Sequence, residues 1–502
     1  MMREVATKIV RRLQAEGFAA YWVGGSVRDF LLGREPGDYD VVTSALPEQI
    51  EKLFKRTIAV GRKFGVMVVV EHEHQFEVAT FRAEADYRDG RHPEHVRFGD
   101  AKADAERRDF TVNGLFYDPV KEELHDWVGG EKDLKARIIR TIGVPGERFA
   151  EDHLRMLRAV RLAVKLGFEI EPETFRAIQE NAAKIKSISA ERVRDELVKM
   201  FDVGDGVQGS KFKVQSSETG RMPVLRGAAR GLVLLRESGL LEHVLPEVAA
   251  TVSCEQSPDF HPEGNVFNHL VLMLSKMPAD ADPLLPWAIL MHDIAKPVTA
   301  SKDEKTGSIH FYEHERIGAE MTETILERLR FPRKQIEAVA TAVRHHMQFK
   351  DAPQMRKATL RRLLMRPTFP LELQLHRVDC LGSHGRLDVY DFLVEQAKEL
   401  EKKPEIRPPL LKGGDLMKLG MKPGPEMGKL LNEIREKQLQ DELKTAAEAK
   451  RWATKELSKV HPSPQCSDAT SSPRPKVHSS RSNVQGPKSK LTRVRSGKSR
   501  KA

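Results

Sequence analysis

The sequence predicts an α+β protein: a strand-and-helix N-terminal part, a long helical remainder and a disordered basic tail. Three observations carry this. Residues 18–43 alternate short apolar runs with glycine turns, which reads as strand, turn, helix and strand. From residue 148 onward the apolar residues recur at helical spacing, as in Leu154, Leu157 and Val160. From Ser458 to Ala502 there are eleven Lys/Arg and one acidic residue, Asp468, with much Ser and Pro, a composition that cannot bury a core.

A chain of 502 residues has room for several cores. The net charge is +10 and so is that of the tail, which leaves the rest balanced at 72 basic and 72 acidic residues (83 less 11, 73 less 1). The charge is therefore a property of the tail, where it can neutralise nucleic-acid phosphates without sequence preference. Cys254, Cys380 and Cys466 are far apart, which argues against a disulfide framework or a zinc knuckle. With no apolar signal core and no window of about 18 apolar residues, the expectation is a cytoplasmic protein with no membrane partner.

In chain order, Val5, Ile9, Val10 and Leu13 mark a first helix over residues 3–16. Ala19–Val23 reads as a buried strand that enters Gly24-Gly25-Ser26, a turn whose backbone N–H groups can approach a triphosphate closely. A short helix with Arg28 and Asp29 follows, Gly33 and Pro36-Gly37 end it, and Asp38–Thr43 reads as the next strand. Asp38 and Asp40, two apart on a strand, share one face and can share hard divalent cations. Pro47–Phe54 reads as helix, and Val66–Val70 with Phe76–Phe81 as a strand pair on which Glu77 offers either a third carboxylate or a solvent-facing side chain. Ala83–Asp104 reads as a long loop before Arg107-Arg108-Asp109-Phe110-Thr111-Val112-Asn113. Taken alone, that block is a charged helix start as readily as a phosphate clamp.

Glu151-Asp152-His153-Leu154-Arg155-Met156-Leu157-Arg158 opens an amphipathic helix to Leu166. Asp152 and Arg155, three apart, would share a face and address one planar object. A carboxylate accepts from an exocyclic amine and a guanidinium donates to the adjoining ring nitrogen, a pattern that cytosine and adenine present and uracil and guanine reverse. The plainer reading is an intrahelical ion pair. Residues 202–224 read as a loop insertion. Further on stand His261 to His269, His292-Asp293, His314, His345-His346 and Asp379, histidines and carboxylates on helical ground that suit a metal with an open position for water.

The order strand, Gly-Gly-Ser, helix with Arg28-Asp29, then Asp-x-Asp resembles the nucleotidyltransferase head of the DNA polymerase β superfamily. More narrowly it resembles the class II tRNA nucleotidyltransferase (CCA-adding) and bacterial poly(A) polymerase family. The resemblance covers roughly residues 18–452 and implies these roles. Asp38 and Asp40 hold Mg²⁺ for catalysis; Gly24, Gly25, Ser26 and Arg28 cradle the triphosphate. Arg108 and Asp109 hold the sugar side and Asp152 with Arg155 the base, Arg158 is a further nucleotide-binding residue, and Glu191 to Leu197, with Glu191 and Arg194, forms a bracing helix. Glu77, Asn113 and Glu151 are secondary members. The His…His-Asp…Asp pattern resembles the HD superfamily of metal-dependent phosphohydrolases, which implies His269, His292, Asp293 and Asp379 as one set for a divalent metal of unspecified identity. His314 and one histidine of the 345/346 pair, His346 by preference, would complete a second.

The expected organisation is a head over 1–147, a helical neck and body over 148–250, an HD domain over 251–400, a helical tRNA-contacting region over 401–457 and a tail over 458–502. The implied activity is addition of CMP and AMP to tRNA 3′ ends from CTP and ATP. The alternatives are a poly(A) polymerase on the same head, an RNA-binding scaffold, and an RNA-end phosphohydrolase acting through the HD domain.

Overall fold

The computed structural model describes residues 2–83, 98–202, 225, 227–257, 264–306, 308–402 and 409–460. The insertion from 203 to 224, most of the 83–104 loop, His261 and the tail beyond Val460 lie outside them. Contacts divide the chain into two compact units, Met1–Ile406 and Arg407–Ala502.

The head opens with α1 (Met2–Ala15), which buries Val5, Ile9, Val10 and Leu13 as its spacing requires. There follow β1 (Ala20–Val23), α2 (Gly25–Leu31), β2 (Asp40–Thr43), α3 (Pro47–Leu53), β3 (Thr57–Gly61), β4 (Val66–Glu71), β5 (His74–Thr80), α4 (Ala101–Glu106), β6 (Phe116–Asp118) and β7 (Glu123–His125). The seven strands form one sheet in the order β3-β4-β5-β2-β1-β6-β7. Only the β2–β5 pair is parallel, so the sheet is mixed.

Two registers place the chemistry. Val23 pairs with Asp40, so the end of β1 brings the following glycines alongside the start of β2. Val41 pairs with Val78 across the parallel ladder, so the preceding residues Asp40 and Glu77 come to the same end of the sheet. Asp38 lies just before β2 rather than within it, a difference from the expected strand, which starts only where pairing with β1 begins at Asp40. Strands β3, β6 and β7 have no counterpart in the sequence reading: two are three residues long, and β3 exposes Ile58 and Val60 at the sheet edge. Helix α4 occupies the end of the expected 83–104 loop because the Asp100 side chain accepts from the Ala103 N–H at 2.8 Å and caps it.

Helix α5 (Gly130–Ala136) is tied to the turn Thr111–Asn113. At Gly130 a Cβ would lie 2.2 Å from the Thr111 carbonyl oxygen, so this approach admits glycine alone. Then come β8 (Ile138–Ile139), α6 (Pro145–Glu151), α7 (Leu154–Leu166), β9 (Glu169–Ile170), α8 (Pro172–Asn181), α9 (Ala190–Phe201), α10 (Gly227–Glu237), α11 (Leu241–Val244) and α12 (Pro246–Ala250). The helix expected from Glu151 is corrected here. Asp152 is extended, its carboxylate takes the Leu154 N–H at 3.0 Å, and the chain breaks between α6 and α7.

The histidine-bearing part comprises α13 (Val266–Ser275), α14 (Leu285–His292), α15 (Lys296–Thr299), the hairpin β10 (Ala300–Lys302) and β11 (Ile309–Phe311), α16 (His314–Arg328), α17 (Arg333–His345), α18 (Lys357–Leu364), α19 (Phe369–Gly382) and α20 (Asp388–Lys402). One apolar core runs from Val5 through α7, α9 and α10 to Val378, and so joins head, neck and these helices. The second unit has its own small core, in which Leu411 and, from α21 (Gly413–Lys418), Leu416 pack with α22 (Pro425–Leu439) and α23 (Ala446–Val460). Helices α22 and α23 are parted where Asp441 turns to φ +61°.

Candidate active site and candidate metal centre

The first site is built at the end of the sheet where β1, β2 and β5 meet. Gly24 adopts φ +70°, which a side chain would strain, and a Cβ there would lie 3.4 Å from Arg108 Nη1 and 3.9 Å from Asp40 Oδ2. The turn, the arginine and the carboxylate are thus neighbours. Ser26 is buried and its hydroxyl donates to the Val23 carbonyl at 2.8 Å, which fixes the turn. Asp40 has its pKa pushed up to about 6: burial is the main cause, the charges of Asp38 and Glu77 add to it, and Arg108 opposes them. Three carboxylates therefore crowd one place, which is chemistry that calls for a cation.

Arg28 pairs side-on with Asp29 through two bonds of 2.9 Å and donates to Asn113 Oδ1 at 2.7 Å. Asn113 donates in turn to Asp109 at 3.3 Å, and Asp109 pairs with Arg158 at 2.8 Å. Burial pushes the Asp109 carboxyl up, but Arg158 and the Asn113 bond outweigh it and leave it below the usual carboxylate range. Gly25, Ser26 and Arg28 are carried by α2, Asp40 by β2, Glu77 by β5, Arg158 by α7, and Arg108, Asp109 and Asn113 by the 107–113 segment, while Gly24 lies between β1 and α2 and Asp38 just before β2.

Asp152 and Arg155 stand in a different arrangement from the shared helical face expected. Asp152 Oδ2 is paired with Arg192 of α9 at 2.7 Å, while buried Arg155 donates to Glu151 and, at 3.0 Å, to the Arg148 carbonyl. Arg148 also pairs with Glu151 at 2.9 Å. Helix α9 also grips α7 itself, Glu196 pairing with Arg161 at 2.7 Å. Arg194 pairs with Asp195 at 2.7 Å and donates to the Arg330 carbonyl, and Glu191 lies 3.9 Å from Arg330, so both face α16 rather than the glycine turn.

The second site is a buried cluster at the meeting of α13, α14, α16, α17 and α19. His269, His292 and Asp293 bring their ligand atoms within 4.8 Å of one another, and so do Asp293, His314 and His346. Asp293 belongs to both triads, lying 3.1 Å from His292 Nε2 and 3.5 Å from His314 Nε2. Backbone carbonyls of Ile289, Phe311 and Val343 hold Nδ1 of His292, His314 and His346 at 2.8, 2.8 and 2.6 Å, which turns each Nε2 inward. Asp379 bonds His269 Nε2 at 3.1 Å. Burial works against ionised Asp293, but His292 and Lys296 hold its carboxyl well below the usual range. His345 lies outside both triads, and burial with the charges of Arg366 and Arg344 lowers its pKa to about 4.

Sequence reasoning missed three residues. Lys296 is buried and pairs with Asp293 at 2.7 Å; its signal was the i,i+3 spacing. Asp104 carries Arg107 and Arg108 at the same kind of spacing, legible only once α4 is known. Arg192, the partner of Asp152 forty residues away, has no local signal at all.

Three stretches match known families: residues 20–140 the poly A polymerase head domain, residues 167–211 the probable RNA and SrmB-binding site of polymerase A, and residues 265–382 the HD domain. A CCA-adding enzyme of Staphylococcus aureus strain bovine RF122 / ET3-1 is 47% identical over 199 residues, which is 39% of this chain and 50% of that relative. The CCA-adding enzyme of strain MRSA252 is 46% identical over the same length, again 39% of this chain and 50% of the relative. The chain thus spans about half the length of the curated relatives it matches. Among solved structures, the Bacillus stearothermophilus CCA-adding enzyme in complex with CTP is similar with a TM-score of 0.66 and 27% identity, over 91% of this chain and 98% of that one. A CCA-adding enzyme in complex with ATP shares the fold at a TM-score of 0.58 and 17% identity, over 90% of this chain and 95% of that one. The chain thus carries a poly A polymerase head domain, a segment that matches the probable RNA and SrmB-binding site of polymerase A, and an HD domain, and it is similar to CCA-adding enzymes in sequence and in fold.

Proposed function

We propose that the chain adds CMP and AMP to the 3′ end of tRNA, drawing on CTP and ATP without a nucleic-acid template. The observation that carries this is the crowding of Asp38, Asp40 and Glu77 beside the Gly24 turn and Arg108. It is supported by relatives and structural neighbours named as CCA-adding enzymes, in one case with CTP and in another with ATP.

Asp38 and Asp40, with Glu77 beside them, are the residues that would hold divalent cations. Magnesium bound there supplies Lewis-acid stabilisation of charge on the triphosphate and the attacking 3′-oxygen. The rest is the work of this chain. The Gly24-Gly25-Ser26 turn admits the triphosphate to its backbone, and Arg108 and the Arg28–Asn113 pair set positive charge along it. Asp109, kept ionised by Arg158, accepts from ribose hydroxyls. Asp152 and Arg155 meet the base: a carboxylate oxygen accepts two hydrogen bonds, so Asp152 can accept a base amine while paired with Arg192. Uracil or guanine would set a carbonyl against the Asp152 carboxylate and a ring N–H against Arg155, acceptor on acceptor and donor on donor, a loss of a few kcal/mol, or about two orders of magnitude in selection.

A second reading concerns the HD cluster, where the shared Asp293 favours two metal positions. Imidazole-rich ligands suit a transition metal with an open site for water, and so a phosphohydrolase acting on RNA ends.

The decisive assay offers tRNA lacking its terminal nucleotides each labelled NTP singly and together. The expected products are additions from CTP, then ATP, ending after three residues; a long run from ATP alone would give the poly(A) alternative. Asp40→Asn should abolish transfer. It should also stabilise the metal-free protein at pH 7 by at most about 3 kcal/mol, the worth of a carboxyl raised from 3.8 to about 6. The sign is fixed by proton uptake. The native state holds the extra proton between those values, so this residue's cost grows as pH rises through the window and is constant above it. Thermal unfolding in chelator checks it, and a destabilised variant contradicts the crowding.

Asp152→Ala should raise UTP incorporation relative to CTP at least about tenfold; unchanged discrimination in competition assays rules out base-edge reading. For the HD cluster, equilibrium dialysis against Mn²⁺ with Asp38 and Asp40 replaced by Asn should find two ions. Asp293→Ala should lose both and His269→Ala one, whereas a single ion that survives Asp293→Ala contradicts the shared ligand.

A further inference from the structure

Helix α4 ends against the cradle and carries a carboxylate to which neither the implied roles nor the proposed reaction gives a task. Asp104 is 0% exposed. Its Oδ1 accepts from Arg107 Nε at 2.9 Å and from the Arg82 backbone N–H at 3.0 Å. Its Oδ2 accepts from Arg108 Nη2 at 2.9 Å and Nε at 3.2 Å. A buried carboxylate with this many charged donors is not left over from packing, since an apolar residue of similar size would be cheaper to bury.

The geometry of the Arg108 pairing matters most. Asp104 takes the side of the guanidinium that bears Nε and Nη2, so Nη1 is the nitrogen that faces the turn, 3.4 Å from where a Gly24 Cβ would be. Arg108 is held on a further side by Phe116, whose ring centroid lies 5.1 Å from its Cζ. The same guanidinium lowers the pKa of Asp40, so it stands between two carboxylates with different tasks. Unrestrained, it would pair with Asp40 and occupy the oxygens that a divalent cation needs. Adjacent Arg107 would meanwhile repel it, and Asp104 cancels that repulsion by binding both.

We propose that Asp104 is the positioning residue that aims Arg108 at the nucleotide's phosphates and withholds it from Asp40. The inference rests on the nucleotidyltransferase reading of the head and assigns Asp104 no contact with substrate. It acts through Arg108, so its loss and the loss of Arg108 are one event.

The test is a double-mutant cycle on the full chain, reading the Kd of CTP and of ATP with Mg²⁺ by calorimetry. Asp104→Asn preserves shape and removes charge. It should weaken both nucleotides about tenfold, Arg108→Ala should do at least as much, and the double variant should fall within about twofold of Arg108→Ala. Asp104→Asn binding within twofold of the parent, or a double variant whose loss is the product of the two, overturns the proposal. A role confined to folding would lower the unfolding temperature and leave the losses multiplicative. If Asp104→Asn does not fold, Asp104→Glu keeps the charge but displaces the fork by one methylene. It should weaken CTP at least about threefold in the parent and less than twofold in an Arg108→Ala background; parent-like binding overturns the proposal. A parent chain that binds neither nucleotide overturns the head reading itself, a result distinct from any difference among variants.

Discussion

The structure depends on a concentration of like charge that backbone pairing enforces. Strand β2 is bound on one side by β1 and on the other by β5, and those registers leave Asp40 no freedom to withdraw from Glu77 or from the Gly24 turn. Asp38 comes to the same place from the segment before the strand. A sheet that forces carboxylates together holds an arrangement that is unfavourable in the bare protein and that a bound cation would relieve.

Around this negative centre the arginines are arranged so that none collapses onto it. Arg28 is held by Asp29, Arg108 by Asp104, Arg158 by Asp109, Arg155 by Glu151 and Arg192 by Asp152. Each pairing fixes a guanidinium in orientation, so that little reorganisation would be needed to meet an arriving anion. The alternation also keeps these guanidinium groups from pairing with the crowded carboxylates. Helix α9 serves the same end by a longer route, since it holds Asp152 through Arg192, holds Arg161 of α7 through Glu196, and touches Arg330 beyond α16 through Arg194. The HD cluster repeats the principle with other ligands: backbone carbonyls orient the imidazoles, and one aspartate serves two triads.

What was legible in the sequence follows physical reach. The strand–Gly-Gly-Ser–helix–Asp-x-Asp block was readable because each step is local: apolar run, breaker, spacing. The α7 face and the histidine set were readable in outline for the same reason. Three things were not. The break at Asp152 depends on whether a side chain caps the next turn or continues the helix, and a Glu-Asp-His run allows both. The short strands β6 and β7 are set by pairing, β6 on the edge of β1 and β7 on that of β6, a tertiary fact. The partners Arg192 of Asp152 and Asp104 of Arg108 become visible only when helices are laid against one another, and this is why the site's charged groups were found singly and its pairings were not.

The central claim is that nucleotide lies between the carboxylate-bearing end of the sheet and the start of α7, with the phosphates at Gly24 and the base at Asp152 and Arg155. A crystal structure of the chain with CTP and Mg²⁺ tests it most directly. The account predicts triphosphate density at the Gly24-Gly25-Ser26 turn, metal density against Asp38 and Asp40, and the cytosine amine and N3 within hydrogen-bond distance of Asp152 and Arg155. CTP bound elsewhere, or with its base turned away from both side chains, would contradict it.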